Sequence, residues 1–566
     1  MPQIVSVPSS QESQVKGCLK TNVVLGEIGR LEMEISECRR AVAERWSKVE
    51  YRQTQIKSDT AECNDDSAVS TDVEGYSDER VLKKVKREVI DLTASDEEIE
   101  TPISSDFKLV RSEVLDSNVA SSHFISFDQI FGDKTLKKSI LFSYQYELDF
   151  LLARFHGKVE EIILVAQTGT IRPSSAPAAI ALTDRLSIIE FNMPQFTCHH
   201  SKMVINFYDD GSCRIFMPSN NFTYAEANYP QQVCWCSPRL ERARDAYVRG
   251  FSAFQDSLLD YLGTYKLRKI SERVVSSIKT VDFSPLQDVT FVFSSPSNEI
   301  ASGLQSLAKI ISGGARDEAG GRAYHYLCQS STIGAAVSKK THANLFTHVF
   351  IPILHGIISP KSKLLSTEAL LNEFKVRHIV PHLVYPTVEE IRTSPLGWLC
   401  SGWFHFNYNR DMAHYNMLSK QFSVFRKQDS RRVSQNRRTT PSHSKFYMKF
   451  TTELEAELGT SMGLDWCLYT SSNLSRTAWG TGTARPRNYE VGVLLKAGAR
   501  ELICRSFTDV TYRDSSNFKL KPNSQLVLVP FTLPVIPYDA KQADEAFCMS
   551  KDYDLNDIDG MPYPHN

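Results

Sequence analysis

The chain has 566 residues, of which 42% are hydrophobic and 10% aromatic, so it holds enough apolar material for more than one sizeable core. The formal net charge of −1 at pH 7 excludes a protein that binds nucleic acid through a uniformly basic surface, and any basic groove has to be local. The 12 cysteines form no Cys-x-x-Cys pair, no run of about 18 apolar residues occurs, and residues 1–10 lack a signal-peptide pattern. We therefore expect a reduced, intracellular protein without a membrane span.

Residues 1–124 are predicted to be a disordered regulatory extension that carries one helix. Apolar residues recur at three- and four-residue steps between Ile28 and Val49, which predicts either a short coiled-coil element or a solvated helix. Residues 58–80 are rich in Asp, Glu and Ser and poor in large apolar side chains. This stretch therefore has too little apolar surface to fold alone.

Two short motifs lie in the second part of this extension. The basic cluster at residues 83–87 is typical of a nuclear-import signal, and equally of a solvated tail. An apolar strip precedes Asp96-Glu97-Glu98 and resembles a SUMO-interacting motif; it consists of Val89, Ile90, Asp91 and Leu92. Such a strip can add a strand to the sheet edge of a partner, and the alternative is a chance apolar strip in a linker. Together the two motifs favour a nuclear protein.

Residues 125–285 are predicted to form the first of two α/β lobes, because apolar strand patterns alternate there with amphipathic helix patterns. Strands are expected at 161–166 and 186–191, and helices at 139–155 and 251–265.

Residues 286–566 are predicted to form a second lobe that repeats the first. A helix is expected at 304–311. Apolar runs predict strands at 289–293, 349–358, 376–384 and 526–530. The strongly basic run at 426–438 is interpreted equally as a solvated loop and as a segment that attracts DNA phosphates.

Two blocks of polar residues, one in each lobe, share the same order. The first begins with His200-Ser201-Lys202 and ends at residues 219–223, which read Ser-Asn-Asn-Phe-Thr. The second begins with His443-Ser444-Lys445 and ends at residues 471–475, which read Ser-Ser-Asn-Leu-Ser. One His-x-Lys alone would mean little, but two with the same trailing phrase indicate the two halves of one site.

These residue types suit the transfer of a phosphodiester. Two lysines and two asparagine amides can donate to the non-bridging oxygens, on which negative charge develops. Two histidines supply a nucleophile or base and an acid that titrate near neutral pH. Because the cationic donors can replace a metal, we expect neither a metal nor another cofactor.

Each block is predicted to be a β-hairpin that brings its polar groups to one edge of a sheet. His and Lys two residues apart point to the same face of a strand, whereas His199 points to the opposite face and is expected to be a packing histidine. Aligning the two phrases pairs Asn221 with Asn473, and Asn220 is the alternative.

The motifs resemble those of the phospholipase D superfamily, which has two His-x-Lys motifs in its site. The superfamily's usual Asp, five residues after each Lys, is replaced by Phe207 and Phe450. The tyrosyl-DNA phosphodiesterase branch of the superfamily has the Asn phrases and also lacks this Asp, and the chain resembles that branch. Other stretches that resemble this branch are 142–144, 385–389, 478–480 and 488–493. The resemblance implies two pseudo-symmetric lobes, each a mixed β-sheet flanked by helices, that share one active site.

The resemblance also implies roles for individual residues. His200 is expected to be the nucleophile and His443 the general acid, which later acts as the base. The expected phosphate clamp consists of Lys202, Lys445, Asn221 and Asn473, and Glu490 is expected to orient the nucleophile. The expected substrate contacts are Phe196, which can stack on a DNA base, Ser331, Thr332, Tyr144, Ser475 and Arg476.

The activity that the resemblance implies is DNA repair in the nucleus. The protein is expected to hydrolyse the 3′-phosphotyrosyl bond left by a stalled topoisomerase I, and other 3′-blocking adducts, as an exonuclease acting on the 3′ end. The expected reaction forms a covalent phosphohistidine and leaves a 3′-phosphate. The expected substrate is a single-stranded or nicked DNA end carrying the topoisomerase peptide, bound by a monomer away from membranes. The alternatives are a superfamily nuclease or lipid phosphodiesterase, and an inactive scaffold that binds DNA or SUMO.

Overall fold

The computed structural model describes residues 105–116, 121–172, 181–311, 321–432, 437, 439–512, 520–521 and 523–564. The predicted N-terminal helix, basic cluster and SUMO-interacting strip lie outside these residues. Within the described ranges, every helix is too short or too polar to cross a membrane.

The first half of the described chain is organised around one mixed sheet. The strands of this half are β1 Phe107–Val110, β2 Phe124–Ile125, β3 Leu136–Phe142, β4 Tyr146–Glu147, β5 Glu161–Gln167, β6 Ile171–Arg172, β7 Leu186–Phe191, β8 Met203–Tyr208, β9 Cys213–Pro218 and β10 Val233–Cys236. Of these, β4 and β6 pair with each other outside the main sheet. The order in the sheet is β2-β1-β10-β9-β8-β3-β5-β7. The predicted start of the first lobe at residue 125 leaves out β1 and the first of the two residues of β2.

The second half is organised around another mixed sheet. Its strands are β11 Val289–Ser294, β12 Arg322–Gln329, β13 Ile379–Val384, β14 Phe425–Lys427, β15 Phe446–Glu453, β16 Ser461–Thr470, β17 Glu490–Lys496, β18 Glu501–Ser506, β19 Ser524–Val529 and β20 Ile536–Pro537. The main order is β11-β17-β16-β15-β12-β13-β14-β20, and β18 joins β16 to β19. The bounds of the two lobes, 125–285 and 286–566, stay predictions.

The two sheets repeat one pattern of strand pairing. In the first, β3 is parallel to β5 and antiparallel to β8, and β9 and β10 continue antiparallel. In the second, β12 is parallel to β13 and antiparallel to β15, and β16 and β17 continue antiparallel. The central strands are buried on both faces, as mixed sheets covered by helices require. This matches the predicted fold class of two pseudo-symmetric α/β lobes.

Helices flank both sheets. The α-helices are Phe127–Phe131, Leu148–Leu152, Tyr224–Asn228, Ala253–Gly263, Arg268–Ile270, Ser276–Ile278, Leu304–Ile311, Ile351–Leu354, Thr367–Val376, Val388–Arg392, Met412–Asn416, Arg476–Trp479 and Phe507–Tyr512. The π-helical turns are Ser271–Val275, Phe346–Phe350 and Met417–Gln421. The 3₁₀ turns are Thr183–Arg185, Ser284–Leu286, Gly397–Trp403, Tyr408–Arg410 and Ala540–Gln542.

Two of the predicted elements were wrong. The expected helix at 139–155 is the buried strand β3 followed by β4 and a short helix, Leu148–Leu152. The expected strand at 349–358 lies instead in the helical stretch made by Phe346–Phe350 and Ile351–Leu354. Both segments are rich in apolar residues that are mostly buried, and such runs carry no clear periodicity that separates a strand from a helix.

Candidate active site

Two hairpins bring the polar blocks to one edge of each sheet. Lys202 directly precedes β8, and Asn221 follows β9, with which β8 pairs antiparallel. Lys445 directly precedes β15, and Asn473 follows β16, with which β15 pairs antiparallel. The start of one strand and the end of its antiparallel neighbour meet at the same edge, so each hairpin gathers its His, Lys and Asn. The predicted hairpins are confirmed.

Backbone hydrogen bonds join each histidine to the opposite half of the chain. The His200 N–H donates to the Tyr489 carbonyl over 2.9 Å, and the Tyr489 N–H donates to Cys198 over 3.1 Å. In the same way, the His443 N–H donates to the Gln231 carbonyl over 2.9 Å, and the Gln231 N–H donates to Pro441 over 2.9 Å. Each histidine is therefore fixed by residues from the other half.

His200 is oriented by a buried carboxylate. Its Nδ1 lies 2.8 Å from Glu490 Oε2, and the Glu490 carboxylate also accepts from Ser471 Oγ at 2.6 Å and from Asn488 Nδ2 at 3.1 Å. Because a carboxylate only accepts, Nδ1 carries the proton and the Nε2 lone pair is available. Burial lowers the pKa of His200, Glu490 opposes that shift, and both site lysines add to it.

His443 is paired with a different carboxylate. Its Nδ1 lies 3.2 Å from Glu226 Oε1 and 3.4 Å from the Gln232 side-chain amide. Burial and the nearby Lys445 lower the pKa of His443 to about 3, against the pull of Glu226. Burial alone would raise the pKa of Glu226, but His443, Lys202 and the Asn221 backbone N–H bring it down to about 2. At neutral pH the pair is therefore an imidazole that donates to an ionised carboxylate.

Glu226 is the functional residue that the sequence reasoning missed. It lies in the helix Tyr224–Asn228, directly after the Asn221 phrase, and is 2% exposed. A signal was present, because Glu226 is the only acidic residue in the sequence between Asp210 and Glu241. Once Glu490 of the second half is assigned to the first histidine, pseudo-symmetry requires a carboxylate from the first half for His443.

The two lysines are buried and lie close enough to affect each other. Lys202 Nζ donates to the His200 carbonyl over 3.3 Å, and Lys445 Nζ donates to the His443 carbonyl. Burial lowers the pKa of Lys202, and burial together with the charge of Lys202 lowers the pKa of Lys445 further. Two buried ammonium groups that repel each other are stabilised by an anion placed between them.

The asparagine amides are held in defined orientations. Asn221 Oδ1 accepts from Ser143 Oγ at 3.0 Å, and its Nδ2 donates to Glu226 at 2.8 Å. Asn220 instead donates its amide to the Asn221 carbonyl at 2.6 Å. The side chain of Asn221, and not that of Asn220, therefore belongs to the His443–Glu226 group.

The Asn473 amide is oriented by the serine turn at residues 330–332. Its Oδ1 accepts from Ser330 Oγ at 3.2 Å, from Ser331 Oγ at 3.1 Å and from the Thr332 N–H at 3.1 Å. No described residue accepts from its Nδ2. Ser331 and Thr332 thus contact Asn473, and their contact with DNA stays a prediction.

The remaining candidate substrate residues lie around the two halves. Phe196 is half-buried with a φ of 63°, in the loop that leads to His200, and Tyr144 is half-buried just after β3. Ser475 caps the helix Arg476–Trp479 by accepting from the Ala478 N–H, and Arg476 is exposed and donates to the Val337 carbonyl at 3.4 Å. Contacts of these four residues with DNA stay predictions.

The basic run before the second motif is largely neutralised. Lys427 pairs with Asp544 at 2.7 Å and Arg431 with Asp429 at 2.9 Å. Arg432 pairs with Asp509, and the buried Arg437 pairs with the buried Asp116. These four side chains therefore add little net positive field, which favours the structural interpretation of this part of the run.

Comparisons with known proteins agree on one family. Residues 106–539 match the family model of tyrosyl-DNA phosphodiesterase. The tyrosyl-DNA phosphodiesterase 1 of Saccharomyces cerevisiae is 43% identical over 543 residues, which cover 91% of this chain and 97% of that protein. A probable tyrosyl-DNA phosphodiesterase of Caenorhabditis elegans is 26% identical over 450 residues, 77% of this chain and 86% of that protein.

Solved structures give the same result. A crystal structure of the yeast tyrosyl-DNA phosphodiesterase matches with a TM-score of 0.69 at 45% identity, covering 78% of this chain and 99% of that chain. A histidine variant of the yeast protein matches with a TM-score of 0.70 at 45% identity, covering 78% and 98% of the two chains.

Proposed function

Because the chain belongs to the tyrosyl-DNA phosphodiesterase family, we propose that this phosphodiesterase hydrolyses the bond between a tyrosine and the 3′ end of DNA. A stalled topoisomerase I leaves such a bond, so the activity serves DNA repair. Other blocking groups attached through a 3′-phosphodiester present the same phosphorus and are further substrates.

The observation that supports this activity is the arrangement of the two half-sites. Each histidine holds its Nδ1 against a carboxylate from the opposite half, His200 on Glu490 and His443 on Glu226. Both imidazoles therefore keep Nε2 available, and both act beside the buried lysines. Two imidazoles, two ammonium groups and two amides suit a single phosphorus that is attacked on one side and loses its leaving group on the other.

In the first step, His200 Nε2 attacks phosphorus and the bond from phosphorus to the tyrosine oxygen breaks. The lysines and the Asn amides stabilise the charge on the non-bridging oxygens. The bound phosphodiester anion raises the low pKa of His443 in the empty site, so that the imidazole takes up a proton and gives it to the leaving phenolate. The product is a phosphohistidine that joins His200 to the DNA 3′ end.

In the second step, His443 takes a proton from water, and the water oxygen attacks phosphorus. The bond between phosphorus and His200 Nε2 breaks, which releases a DNA 3′-phosphate and restores the imidazole. Glu490 keeps the His200 proton on Nδ1 throughout, so the nucleophile is regenerated in the same tautomer.

We further propose that the protein is a nuclear monomer that acts on single-stranded or nicked 3′ ends and that SUMO binds the strip formed by Val89, Ile90, Asp91 and Leu92. The basic cluster at residues 83–87 and the acidic residues after the strip support this proposal. Fusion of residues 80–100 to a fluorescent protein, followed by imaging and by SUMO titration, tests the nuclear location and the SUMO binding.

The activity is tested with an oligonucleotide that carries a 3′-phosphotyrosine. Wild-type protein should convert it to the 3′-phosphate, while unmodified DNA and phospholipid vesicles stay intact. His200→Ala should abolish the conversion. Turnover of phospholipid or of internal phosphodiesters would support a general superfamily hydrolase instead, and binding without turnover by the wild type would support the scaffold.

A further inference from the structure

A path of buried side chains lies behind the first His-Ser-Lys segment. Ser201 Oγ lies 2.7 Å from the Tyr261 hydroxyl, which contacts the Tyr265 hydroxyl. The Tyr265 oxygen lies 2.7 Å from His199 Nε2, and His199 Nδ1 lies 3.2 Å from the Ser143 carbonyl. These five residues are between 0 and 7% exposed. Their contacts therefore form one continuous path that water does not interrupt.

The acceptor at the end of the path fixes which ring nitrogen of His199 carries the proton. The Ser143 carbonyl only accepts, so His199 Nδ1 carries a proton, and burial lowers the pKa of His199 to about 3, so the ring holds no second proton. His199 Nε2 then accepts from Tyr265, and Ser201 Oγ accepts from Tyr261 at the other end of the path. Buried hydrogen bonds that are linked in this way polarise and strengthen each other.

Both ends of the path adjoin groups of the candidate active site. Ser201 stands between His200 and Lys202, and side chains alternate along an extended segment. Holding Ser201 on the interior side therefore turns the imidazole and the ammonium group towards the substrate side. At the other end, Ser143 Oγ lies 3.0 Å from Asn221 Oδ1 and directs that amide.

Tyr265 also supports the contact that holds the His200 backbone. Its ring stacks on that of Tyr489 with centroids 4.3 Å apart and an interplanar angle of 7°. The Tyr489 carbonyl accepts from the His200 N–H, and its hydroxyl donates to the Thr264 carbonyl at 3.2 Å. Tyr261 lies in the last turn of the helix Ala253–Gly263 and Tyr265 lies two residues beyond its end, so the end of this helix contacts the whole segment.

The second half-site is supported differently. There the Ser444 hydroxyl contacts Gln329 Oε1 and Ser442 Oγ, both at 2.7 Å, and Gln329 donates to the Ser442 carbonyl at 2.9 Å. This closed local set, in the described part of the chain, involves no tyrosine. The tyrosine path is therefore a property of the His200 half.

We propose that Tyr261, Tyr265 and His199 are positioning residues for the attack of His200 on phosphorus. The inference rests on the proposed function. These residues do not face the substrate side, and they act through Ser201, Ser143 and Tyr489. Small errors in the placement of an attacking group are costly, since a displacement of about 1 Å can cost on the order of a hundredfold in rate.

The test compares Tyr261→Phe, Tyr265→Phe and the double variant in single-turnover formation of the covalent adduct. Each single variant removes one hydroxyl and should slow this step by on the order of tenfold to a hundredfold. The double variant should be no slower than the worse single variant, because the path acts as a unit. The KM for the oligonucleotide should change little, because no group that contacts substrate is lost.

Tyr326→Phe is the matched control. Tyr326 is 2% exposed, and its hydroxyl lies 3.1 Å from His355 Nδ1 in the second half. This variant thus loses a partly buried tyrosine–histidine hydrogen bond and should keep the wild-type rate while its thermal stability falls. Losses that track the melting temperature in all variants, or that multiply in the double variant, would overturn the proposal.

A second measurement separates this inference from the proposed activity. Orthovanadate is a phosphate mimic that needs the assembled site but no cleavable bond, so its affinity, measured by calorimetry, should fall at least severalfold in Tyr261→Phe and Tyr265→Phe. A wild type that leaves the tyrosyl oligonucleotide intact contradicts the proposed function alone. Unchanged vanadate affinity together with unchanged adduct formation contradicts the positioning role.

Discussion

The two halves of the site carry the same groups but surround them differently. The His200 side chain is 16% exposed and lies 2.8 Å from its carboxylate, whereas His443 is 7% exposed and lies 3.2 Å from its own. Glu490 is supported by a hydroxyl and an amide. Glu226 is shared between His443 and Asn221, and the Gln232 amide approaches the same ring nitrogen.

This difference shows that the repeated sheets fix where the groups lie, while the local surroundings fix their proton affinity. Burial lowers the pKa of both histidines, but that of His443 falls to about 3 and that of His200 less far. A nucleophile has to be neutral and accessible, and the more exposed His200 meets both requirements. In the proposed mechanism, His443 changes its protonation when substrate charge enters, which suits an acid that becomes a base.

Removing each imidazole in turn should separate the halves most strongly. His200→Ala loses the proposed nucleophile, and turnover should fall by on the order of 10⁴-fold or more, with no covalent adduct. His443→Ala should still form the adduct, because a phenol with a pKa of about 10 leaves without full protonation. Release by water should slow by on the order of 10² to 10⁴-fold. Denaturing gels and intact-mass measurements then show protein joined to DNA.

The lysines and asparagines stay in place in both variants, so substrate binding serves as the control. The opposite pattern, with adduct accumulating in His200→Ala and none in His443→Ala, would reverse the assignment of the two roles.

Exchanging the carboxylates for amides should sharpen the same contrast. In Glu490→Gln the new amide donates to His200 Nδ1, which moves the ring proton to Nε2 and blocks the attacking lone pair. Adduct formation should slow by on the order of 10² to 10⁴-fold. Glu226→Gln should mainly slow release, by on the order of tenfold to a hundredfold. This effect is smaller than that of Glu490→Gln because an amide, that of Gln232, already lies beside His443 in the wild type.

Glu389→Gln is the control for this pair, since the exposed Glu389 pairs with the half-buried Arg392, away from the candidate site. Rapid-quench measurements of the two steps give the comparison. If Glu490→Gln and Glu226→Gln slow adduct formation equally, Glu490 does not serve adduct formation in particular, and Glu226 does not serve release in particular.

Much of this arrangement was predictable from the sequence because it is local. The hairpins, β5 at Glu161–Gln167, β7 at Leu186–Phe191 and the helix Ala253–Gly263 follow from apolar periods bounded by turn residues. Aligning the two polar phrases also selects Asn221 over Asn220, and the hydrogen bonds of Asn221 with Ser143 and Glu226 agree.

What could not be predicted depends on contacts between distant segments. The partners of His443, Glu226 and Gln232, are more than two hundred residues away in sequence, so no local period reveals them. The tyrosine path has the same character, because Tyr261 and Tyr265 fit a helix pattern whether or not they reach His199. Composition also failed to show that Arg437 faces a buried Asp116 rather than solvent.

Proton uptake on anion binding should reveal a subtler asymmetry, between the lysines. Burial lowers the pKa of both, and the charge of Lys202 lowers that of Lys445 further. A bound oxyanion raises both values, so protons are taken up wherever the pH lies between the empty and bound pKa. Calorimetry of orthovanadate binding in buffers of different ionisation enthalpy measures this uptake. Lys445→Met should reduce the proton uptake more than Lys202→Met does. Equal reductions would contradict the difference in pKa between the two lysines.

The smallest expected effect concerns stability in acid. Between about pH 6.5 and pH 3, an unfolded chain protonates His443 while the folded site keeps it neutral, so stability is lost as the pH falls through this window. The loss per histidine is at most about 1.4 kcal/mol for each pH unit. His443→Gln removes this pH-dependent loss of stability and retains a hydrogen-bond donor for Glu226. The difference between the urea midpoints at pH 7 and pH 5 should therefore be smaller in this variant than in wild type. His200→Gln should narrow that difference less, because the pKa of His200 is lowered less, and the other buried histidines cancel between the two variants. If both substitutions reduce the difference between the two urea midpoints equally, the two imidazoles have the same environment. The asymmetry of the halves then lies elsewhere.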